Sequence, residues 1–291
     1  MKPSHSQERS KREPGAAGSL ILVATPIGNL GDITARALEG LKSADLIACE
    51  DSRVTGKLLQ HAGIQKPLLP YHDHNAEAMR PKIVARIAAG ARVALVSDAG
   101  TPLISDPGFK LVQAVVGAGL AVTMLPGPSA PIMALALSGL PSDRFLFGGF
   151  LPPKSKARRD AIAEAARAPV TLVFFETAPR LVESLGDMLA VLGDRLAAVA
   201  RELTKLFEEV RRDRLSALIA HYEQAGAPKG EIVIVVGPPE EAAASAEDVD
   251  TLLRRALASM SVKDAAVTVS AATGTPKRAV YARALELAGE K

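Results

Sequence analysis

A short apolar run passes directly into a loop of small residues at positions 93–108, VALVSDAGTPLISDPG. The run from Val93 to Val96 is continuous rather than alternating, which is typical of a strand buried on both faces of a parallel sheet. Asp98 and Asp106 lie among the glycines and prolines of the loop. Because open α/β sheets bind ligands beyond the carboxyl ends of their strands, we predict that this loop forms part of a ligand site.

Two further predicted strands end in loops of this kind. The strand at 19–24 leads into the loop at 25–32, and the strand at 121–125 leads into the loop at 126–131. Asp32 is the predicted N-cap of the helix that follows the first loop. The alternation of strands and helices predicts an α/β fold with a doubly wound, mostly parallel sheet and with all three loops at one edge. The first loop spaces its glycines G-x-x-G and lacks G-x-G-x-x-G, which argues against a nicotinamide dehydrogenase.

The length of 291 residues allows about two domains, each with its own core. The single cysteine, Cys49, excludes an internal disulfide and a multi-cysteine metal site, and we predict a small buried residue there and no bound metal. No apolar run reaches the roughly 18 residues of a membrane span, and the first 18 residues lack the apolar core of a signal peptide. We therefore expect a cytoplasmic protein with no membrane partner. The predicted regions are a disordered tail at 1–18, an N-terminal α/β cofactor-binding domain at 19–140, a second α/β domain at 144–237, a linker at 238–247 and a helical helix-turn-helix module at 248–291.

A basic run follows a Pro-Pro turn at the start of the second predicted α/β domain. It contains Lys154, Lys156, Arg158 and Arg159. Such a run is either the solvated start of a helix or a phosphate-contacting loop, and the residues alone leave both readings open. The net charge of +3 permits a polyanionic partner without requiring one.

Three helical segments follow the linker, and a short turn containing glycine joins the last two. Ser261, with Asp264 three residues later, has the pattern of a capping box at the start of the second segment. Helix, short turn and helix form the helix-turn-helix pattern. Lys277 and Arg278 lie near the start of the last helix, where a recognition helix would carry basic side chains. This arrangement is compatible with a second nucleic-acid contact.

Eight short motifs, taken together and in order, closely resemble the ribosomal RNA small-subunit methyltransferase I family of the tetrapyrrole methylase superfamily. They run from about residue 19 to residue 288 and read TPIGNLGD, EDSR, HDHN, SDAGTPLISDPG, PGPSA, GFLPPKSKARRD, ARELTK and KGEIVIV. The family methylates the 2′-hydroxyl of a cytidine in 16S ribosomal RNA of the 30S subunit. The resemblance therefore implies a methyltransferase that uses S-adenosylmethionine, acts on ribosomal RNA and forms a homodimer.

The resemblance also implies where the cofactor is held, in a cleft between two α/β domains. One departure is visible, because the superfamily commonly has Gly-Asp-Pro where this chain has Ser97, Asp98 and Ala99. The aspartate is kept, so its role is carried over. By motif, the expected cofactor contacts are Pro26, Asp98, Thr101, Ser129, Ala130, Phe175 and Leu203.

Methyl transfer to a ribose hydroxyl requires a group that accepts the hydroxyl proton and requires no metal. Glu50, Asp51 and His74 are candidates for this base because each lies on a loop that could face the cleft. A structural role is the alternative for each of them, most plainly an ion pair of Glu50 or Asp51 with Arg53. The residues expected to contact RNA are Arg53, Lys154, Lys156, Arg158, Arg159, Lys277 and Arg278.

Two other functions stay open at this point. A methyltransferase of the same superfamily acting on a tetrapyrrole, such as a corrin precursor, would need neither the basic run nor the helix-turn-helix. A non-catalytic RNA-binding protein would not need an intact Asp98 loop. A test of whether the activity requires RNA distinguishes the tetrapyrrole methyltransferase from an RNA methyltransferase. A test of S-adenosylmethionine binding distinguishes the non-catalytic RNA-binding protein from both.

Overall fold

The structure, a computed structural model, describes residues 18–240 and 246–289. The chain divides into two compact units, Met1–Pro238 and Pro239–Lys291. The predicted disordered tail, apart from Gly18, and part of the predicted linker lie outside the described residues. In the part of the chain that is described, no helix is long and apolar enough to cross a membrane.

The first half of unit 1 is a fully parallel five-stranded sheet in the order β3-β2-β4-β1-β5. Its strands are β1 Ser19–Val23, β2 Leu46–Cys49, β3 Leu68–Pro70, β4 Arg92–Val96 and β5 Ala121–Leu125. The helices that alternate with them are α1 Ala35–Ser43, α2 Ser52–His61, α3 Ala76–Ala88, α4 Phe109–Gly117 and α5 Ala130–Ser138.

Helices cover both faces of this sheet, as the sequence predicts. On one face Leu41 of α1 and Leu59 of α2 share a buried cluster with strand residues. On the other face Ile83 of α3 and Leu111 of α4 are fully buried in a second cluster. The continuous apolar strands are thus covered on both sides, which is the doubly wound arrangement. Cys49 is fully buried in β2, as predicted.

The second half of unit 1 is a mixed five-stranded sheet in the order β6-β7-β10-β8-β9. Only β6 and β7 pair in parallel, and the other neighbours are antiparallel. Its strands are β6 Phe145–Phe150, β7 Thr171–Thr177, β8 Leu196–Arg201, β9 Glu209–Arg214 and β10 Glu231–Val236. Its helices are α6 Ser155–Ala165, α7 Leu181–Leu192 and α8 Leu215–Ala225.

The two sheets share a core through α5. Ala134 and Leu135 of this helix pack with Val173, Ala198 and Val233 of the second sheet in one buried cluster. The predicted boundary between residues 140 and 144 separates the sheets in sequence, but both belong to one compact unit. The division of this unit into two domains therefore stays a prediction.

Unit 2 consists of three helices, α9 Ala246–Ala256, α10 Val262–Thr273 and α11 Lys277–Gly289. They enclose a small apolar core that includes Leu253, Val269 and Val280. The backbone N–H of Asp264 donates to the Ser261 side chain at 3.2 Å, which confirms the predicted cap. The first helix begins at Ala246, so the predicted module start at residue 248 falls inside it.

Two details of the predicted secondary structure are wrong. Asp32 does not cap α1, because a short 3₁₀ turn covers residues 30–32 and the Thr34 side chain accepts from the N–H of Ala37 at 3.1 Å. In addition, β3, β6 and β9 were not predicted. All three are edge strands, and their sequences lack the buried apolar pattern from which a strand is recognised.

Candidate active site

A cavity of about 660 Å³ lies at the carboxyl ends of the parallel strands, against the second sheet. We call it the main cavity. The first sheet contributes the loops that follow β1, β2, β4 and β5, and the second contributes β6, β7, β10 and the turn after β7. The three loops predicted to meet at one edge do so. The residues from the first sheet are Ile27, Glu50, Asp98, Ala99, Gly100, Thr101, Ile104, Ser105, Asp106, Ser129, Ala130 and Pro131.

Hydrogen bonds fix these loops to one another. Thr25 and Gly100 pair through two backbone bonds, from the N–H of Thr25 to Gly100 at 2.9 Å and from Gly100 to Thr25 at 3.1 Å. The Thr101 hydroxyl donates to the carbonyl of Pro128 at 3.0 Å. Gly100 has a φ of +80°, and a Cβ there would lie 3.2 Å from a methyl group of Ile27. A glycine is therefore required where the backbone lines the main cavity.

Carboxylates gather on one wall of the main cavity. Asp98 accepts the backbone N–H of Asp51 at 2.9 Å, which ties the β4 loop to the start of α2. Burial raises the pKa of Glu50, and the nearby charges of Asp98, Asp106 and Asp73 raise it further. Burial also raises the pKa of Asp106; a hydrogen bond with Ser97 works against that effect, and Asp98 adds to it. A side chain with a raised pKa in a cleft is suited to proton transfer near neutral pH.

The opposite wall is aromatic. Phe150 and Phe175 both line the main cavity, with ring centroids 5.1 Å apart, and Phe147 meets Phe175 edge-on at 5.0 Å. Phe150 is 57% exposed although its side chain is large and apolar. Exposed aromatic faces inside a concave site are what a flat ring can stack against.

One contact joins the first loop to the second sheet beside the main cavity. The Lys205 side chain runs across Gly28, where a Cβ would lie 2.4 Å from its Cγ. Its Nζ donates to Glu202 at 2.8 Å and to Glu231 at 3.1 Å, and Glu231 lines the main cavity. We call this contact the Lys205 latch.

Comparison with known proteins places the chain in a family. The family described as tetrapyrrole (corrin/porphyrin) methylases matches residues 19–219, and the RsmI C-terminal HTH domain matches residues 243–288. Ribosomal RNA small subunit methyltransferase I of Erythrobacter litoralis is 55% identical over 281 residues, which is 97% of this chain and 99% of that protein. The chain belongs to the ribosomal RNA small subunit methyltransferase I family. The protein of the same name from Mesorhizobium japonicum is 52% identical over 270 residues, or 92% of each chain.

Solved structures support the family's fold. A crystal structure of diphthine synthase has a TM-score of 0.59 and 17% sequence identity, and it covers 75% of this chain and 89% of its own. At this identity the similarity concerns the fold alone.

The structure brings several residues expected from the methyltransferase I family to the main cavity. These are Glu50, Asp98, Thr101, Ser129, Ala130 and Phe175. Pro26 and Leu203 are not among the lining residues. Pro26 precedes Ile27, which does line the main cavity, and Leu203 is buried in the apolar cluster that contains Ile27.

The other two candidates for the base are placed less favourably than Glu50. Asp51 caps α2 and binds Arg53, whose hydrogen bond lowers the pKa of Asp51 to about 2. A carboxylate this acidic is a poor proton acceptor, and the alternative role as a partner of Arg53 fits the geometry. His74 lies on an exposed loop against His72, with ring centroids 5.9 Å apart, and is not among the residues that line the main cavity.

The burial of Arg158 argues against its predicted contact with RNA. Its side chain is 1% exposed, and its Nε donates to the buried carboxylate of Asp187 at 2.6 Å. Its guanidinium also donates to the carbonyl of Pro153 at 3.3 Å. A phosphate cannot reach a group enclosed in this way. Lys154 and Lys156 are exposed, and Arg159 is about half exposed although it also binds Asp187.

The remaining predicted RNA contacts are accessible. Arg53 is 87% exposed beside Asp51, and Lys277 and Arg278 are exposed at the start of α11. Sequence reasoning missed two features of the site, the Phe150 face and the Glu231 wall. Phe150 lies in the motif GFLPPKSKARRD and Glu231 in the motif KGEIVIV, but the sequence around them does not show that they face the main cavity.

Proposed function

We propose that the chain transfers a methyl group from S-adenosylmethionine to the 2′-hydroxyl of a cytidine in 16S ribosomal RNA. The observation that carries the proposal is the main cavity, with carboxylates on one wall and aromatic faces on the other. Its volume of about 660 Å³ lies in the range of roughly 300–1,000 Å³ that small-molecule pockets have. The names of the relatives supply the substrate class.

The residues of the main cavity fit S-adenosylmethionine by their chemistry. Phe150 and Phe175 offer faces for a purine ring, and Asp98 and Glu231 offer carboxylates for hydroxyl and ammonium groups. Gly100 has no side chain, and a Cβ there would meet Ile27. The backbone at Gly100 can therefore approach a ligand closely. When bound, the cofactor supplies a methyl group on a positively charged sulfur.

Glu50 is the residue we propose as the proton acceptor. The bound cofactor would supply its methyl carbon to the ribose oxygen, and the broken carbon–sulfur bond would leave its electron pair on the sulfur. The hydroxyl proton then passes to the Glu50 carboxylate. Burial and the nearby charge of Asp98 raise the pKa of Glu50, which makes it a stronger base than an ordinary carboxylate. The surrounding loops hold the reacting groups in line, which supplies much of the rate enhancement.

We propose two basic surfaces for RNA. The surface on unit 1 comprises Lys154, Lys156, Arg159 and Arg53, and the surface on unit 2 comprises Lys277 and Arg278. All of these side chains are exposed or half exposed. Contacts to phosphates give affinity that is independent of sequence and falls with salt. We further propose that the protein acts as a homodimer in the cytoplasm on 16S ribosomal RNA, either free or within the 30S subunit, for which the resemblance of the motifs is the support.

Methyl transfer from labelled S-adenosylmethionine to purified 30S subunits that lack their native modification tests the proposal. Nuclease digestion and mass spectrometry of the product should give 2′-O-methylcytidine. The matched control is Asp98→Ala, which should lose cofactor binding and therefore all transfer. Transfer to a corrin precursor but not to RNA would favour the tetrapyrrole alternative, and absence of cofactor binding by calorimetry would favour a non-catalytic RNA-binding protein.

A further inference from the structure

A second cavity of about 380 Å³ adjoins the main cavity through Asp106, which lines both. We call it the side pocket. It lies between the start of α3 and the start of α4, and the residues that line it include Asp73, Glu77, Arg80, Asp106 and Phe109. Its volume lies near the lower end of the range for small-molecule sites, which suits one nucleotide rather than a length of strand.

We propose that the side pocket receives the acceptor nucleotide of the RNA, with its ribose at Asp106 and facing the main cavity. The inference rests on the proposed function, because it assigns the second substrate of the same reaction. None of the residues that were expected to contact RNA from the sequence lies in this pocket.

The side chain of Arg80 lines the side pocket and carries a positive charge that suits an anion. Its Nε is buried and finds no hydrogen-bond partner among the described residues. A buried donor without a partner is costly in a folded protein and points to a missing ligand or water. Arg80 lines the side pocket, so a phosphate oxygen held there would be attracted by its positive charge.

The N-terminus of α4 supports the same assignment independently. Pro107, Gly108, Phe109 and Lys110 all line the side pocket, and Gly108, as the N-cap, provides no side chain to cap the first turn. The first N–H groups of a helix and its dipole favour a negatively charged group. Together with Lys110 and Arg80 they form a positive end to the side pocket.

Phe109 supplies the surface on which a base can stack. Its side chain is 65% exposed although it begins a helix on the wall of the side pocket. An exposed aromatic face is a platform on which an unpaired base can stack, and Arg80 and Lys110 line the same pocket.

The carboxylates of Asp73 and Glu77 complete the chemistry expected for a cytidine. Both line the side pocket, and acidic side chains accept hydrogen bonds from the exocyclic amino group of cytosine. A corrin precursor, which carries many carboxylates on a large macrocycle, would be repelled by these groups and exceeds the size of the side pocket. A nucleotide uses groups of both signs.

The loop that carries Asp106, which lines both cavities, holds two unfavourable backbone conformations. Leu103 and Ser105, which are not glycines, have φ values of +76° and +66° immediately before Asp106. Such conformations cost on the order of 1–3 kcal/mol each and persist where the surroundings enforce them, often at functional sites.

Kinetics of full-length variants on 30S subunits test the proposal. Phe109→Ala should raise the KM for 30S subunits about tenfold or more, Phe109→Tyr should restore it, and the affinity for S-adenosylmethionine should stay within twofold. Arg80→Gln should also raise this KM. The slope of its dependence on salt concentration should fall by about 1, which corresponds to the loss of one phosphate contact. The matched controls are Phe207→Ala, whose side chain is 66% exposed elsewhere in unit 1, and Arg86→Gln, on an exposed position of α3.

The outcomes separate this inference from the proposed function. If the wild-type protein does not methylate RNA, the proposed function fails. If it does and both Phe109→Ala and Arg80→Gln behave like their controls, only the side-pocket assignment fails. A loss of cofactor affinity as large as the change in KM would also overturn it, since the side pocket would then belong to the cofactor site. Urea unfolding midpoints close to that of the wild type show that the variants are folded.

Discussion

Replacing Arg158 with alanine should destabilise the protein by about 3 kcal/mol without weakening its binding to RNA. The Arg158 side chain is 1% exposed, and its Nε lies 2.6 Å from Asp187, which is itself 4% exposed. Removing one partner of a buried ion pair costs about 3–5 kcal/mol, because the other charge stays buried. The lower end applies here because Arg159 and Ser155 continue to donate to Asp187.

Urea unfolding of the purified variants at pH 7 measures this loss. Arg159→Ala is the matched control, and since its side chain is 54% exposed, we expect it to cost about 1 kcal/mol or less. The double variant Arg158→Met with Asp187→Leu should recover most of the stability, since a buried pair can be replaced by apolar groups of similar size.

The same ion pair predicts a dependence of stability on pH. Burial works to raise the pKa of Asp187, but hydrogen bonds from Arg159, Arg158 and Ser155 outweigh it and lower that pKa. The stabilisation is therefore present above the unfolded value near 3.8 and is lost as the pH falls through the lower folded value. The stabilities of the wild type and Asp187→Asn should converge in that acidic range.

Filter binding to ribosomal RNA at several salt concentrations completes the test. Arg158→Ala should match the wild type under conditions in which both are folded. A loss of RNA affinity at unchanged stability would refute the reasoning, since it would show that the guanidinium reaches RNA.

Three further predictions concern the site and the RNA surface. Glu50→Gln should lower kcat about 100-fold or more and remove the acidic limb of the pH–rate profile, with cofactor affinity unchanged by calorimetry. Gly28→Ala should weaken cofactor binding, because the new methyl group would lie 2.4 Å from Cγ of Lys205 and overpacking costs about 1–3 kcal/mol; an unchanged Kd would contradict this. Lys154→Glu with Lys156→Glu should weaken RNA binding and flatten its salt dependence, and unchanged binding would exclude the run as a contact.

Most of the parallel sheet could be predicted from the sequence because β1, β2 and β4 are internal strands. These strands are continuous apolar runs buried on both faces, and glycines and prolines mark the loops that follow β1 and β4. The edge strands β3, β6 and β9 were missed for the opposite reason. Glu209–Arg214 is a charged strand paired on one side only, and the Gly148–Gly149 pair interrupts Phe145–Phe150 near a register shift.

The half of the site made by the first sheet could be predicted for the same reason. Asp98 and Thr101 follow a strand directly, and the carboxyl end of a parallel strand fixes the edge at which its loop lies. The role of Arg158 could not be read in this way. A basic residue within an exposed run looks like a surface contact, and only Asp187, 29 residues further along the chain, reveals that it is buried.

The Lys205 latch explains why the second half of the site could not be derived from local sequence patterns, although its residues lie in the motifs ARELTK and KGEIVIV. Glu202 and Thr204 hold φ values of +50° and +67°, which are unfavourable for residues other than glycine. A side chain at Gly230 would lie 2.3 Å from Glu202, and one at Gly28 would meet Lys205. Two distant glycines thus make room for one lysine and its partner. In the sequence each glycine looks like an ordinary loop residue. The two glycines come close to this lysine and its partner only once both sheets have formed. The loop after β1 and strand β10 are consequently held together as one surface of the main cavity.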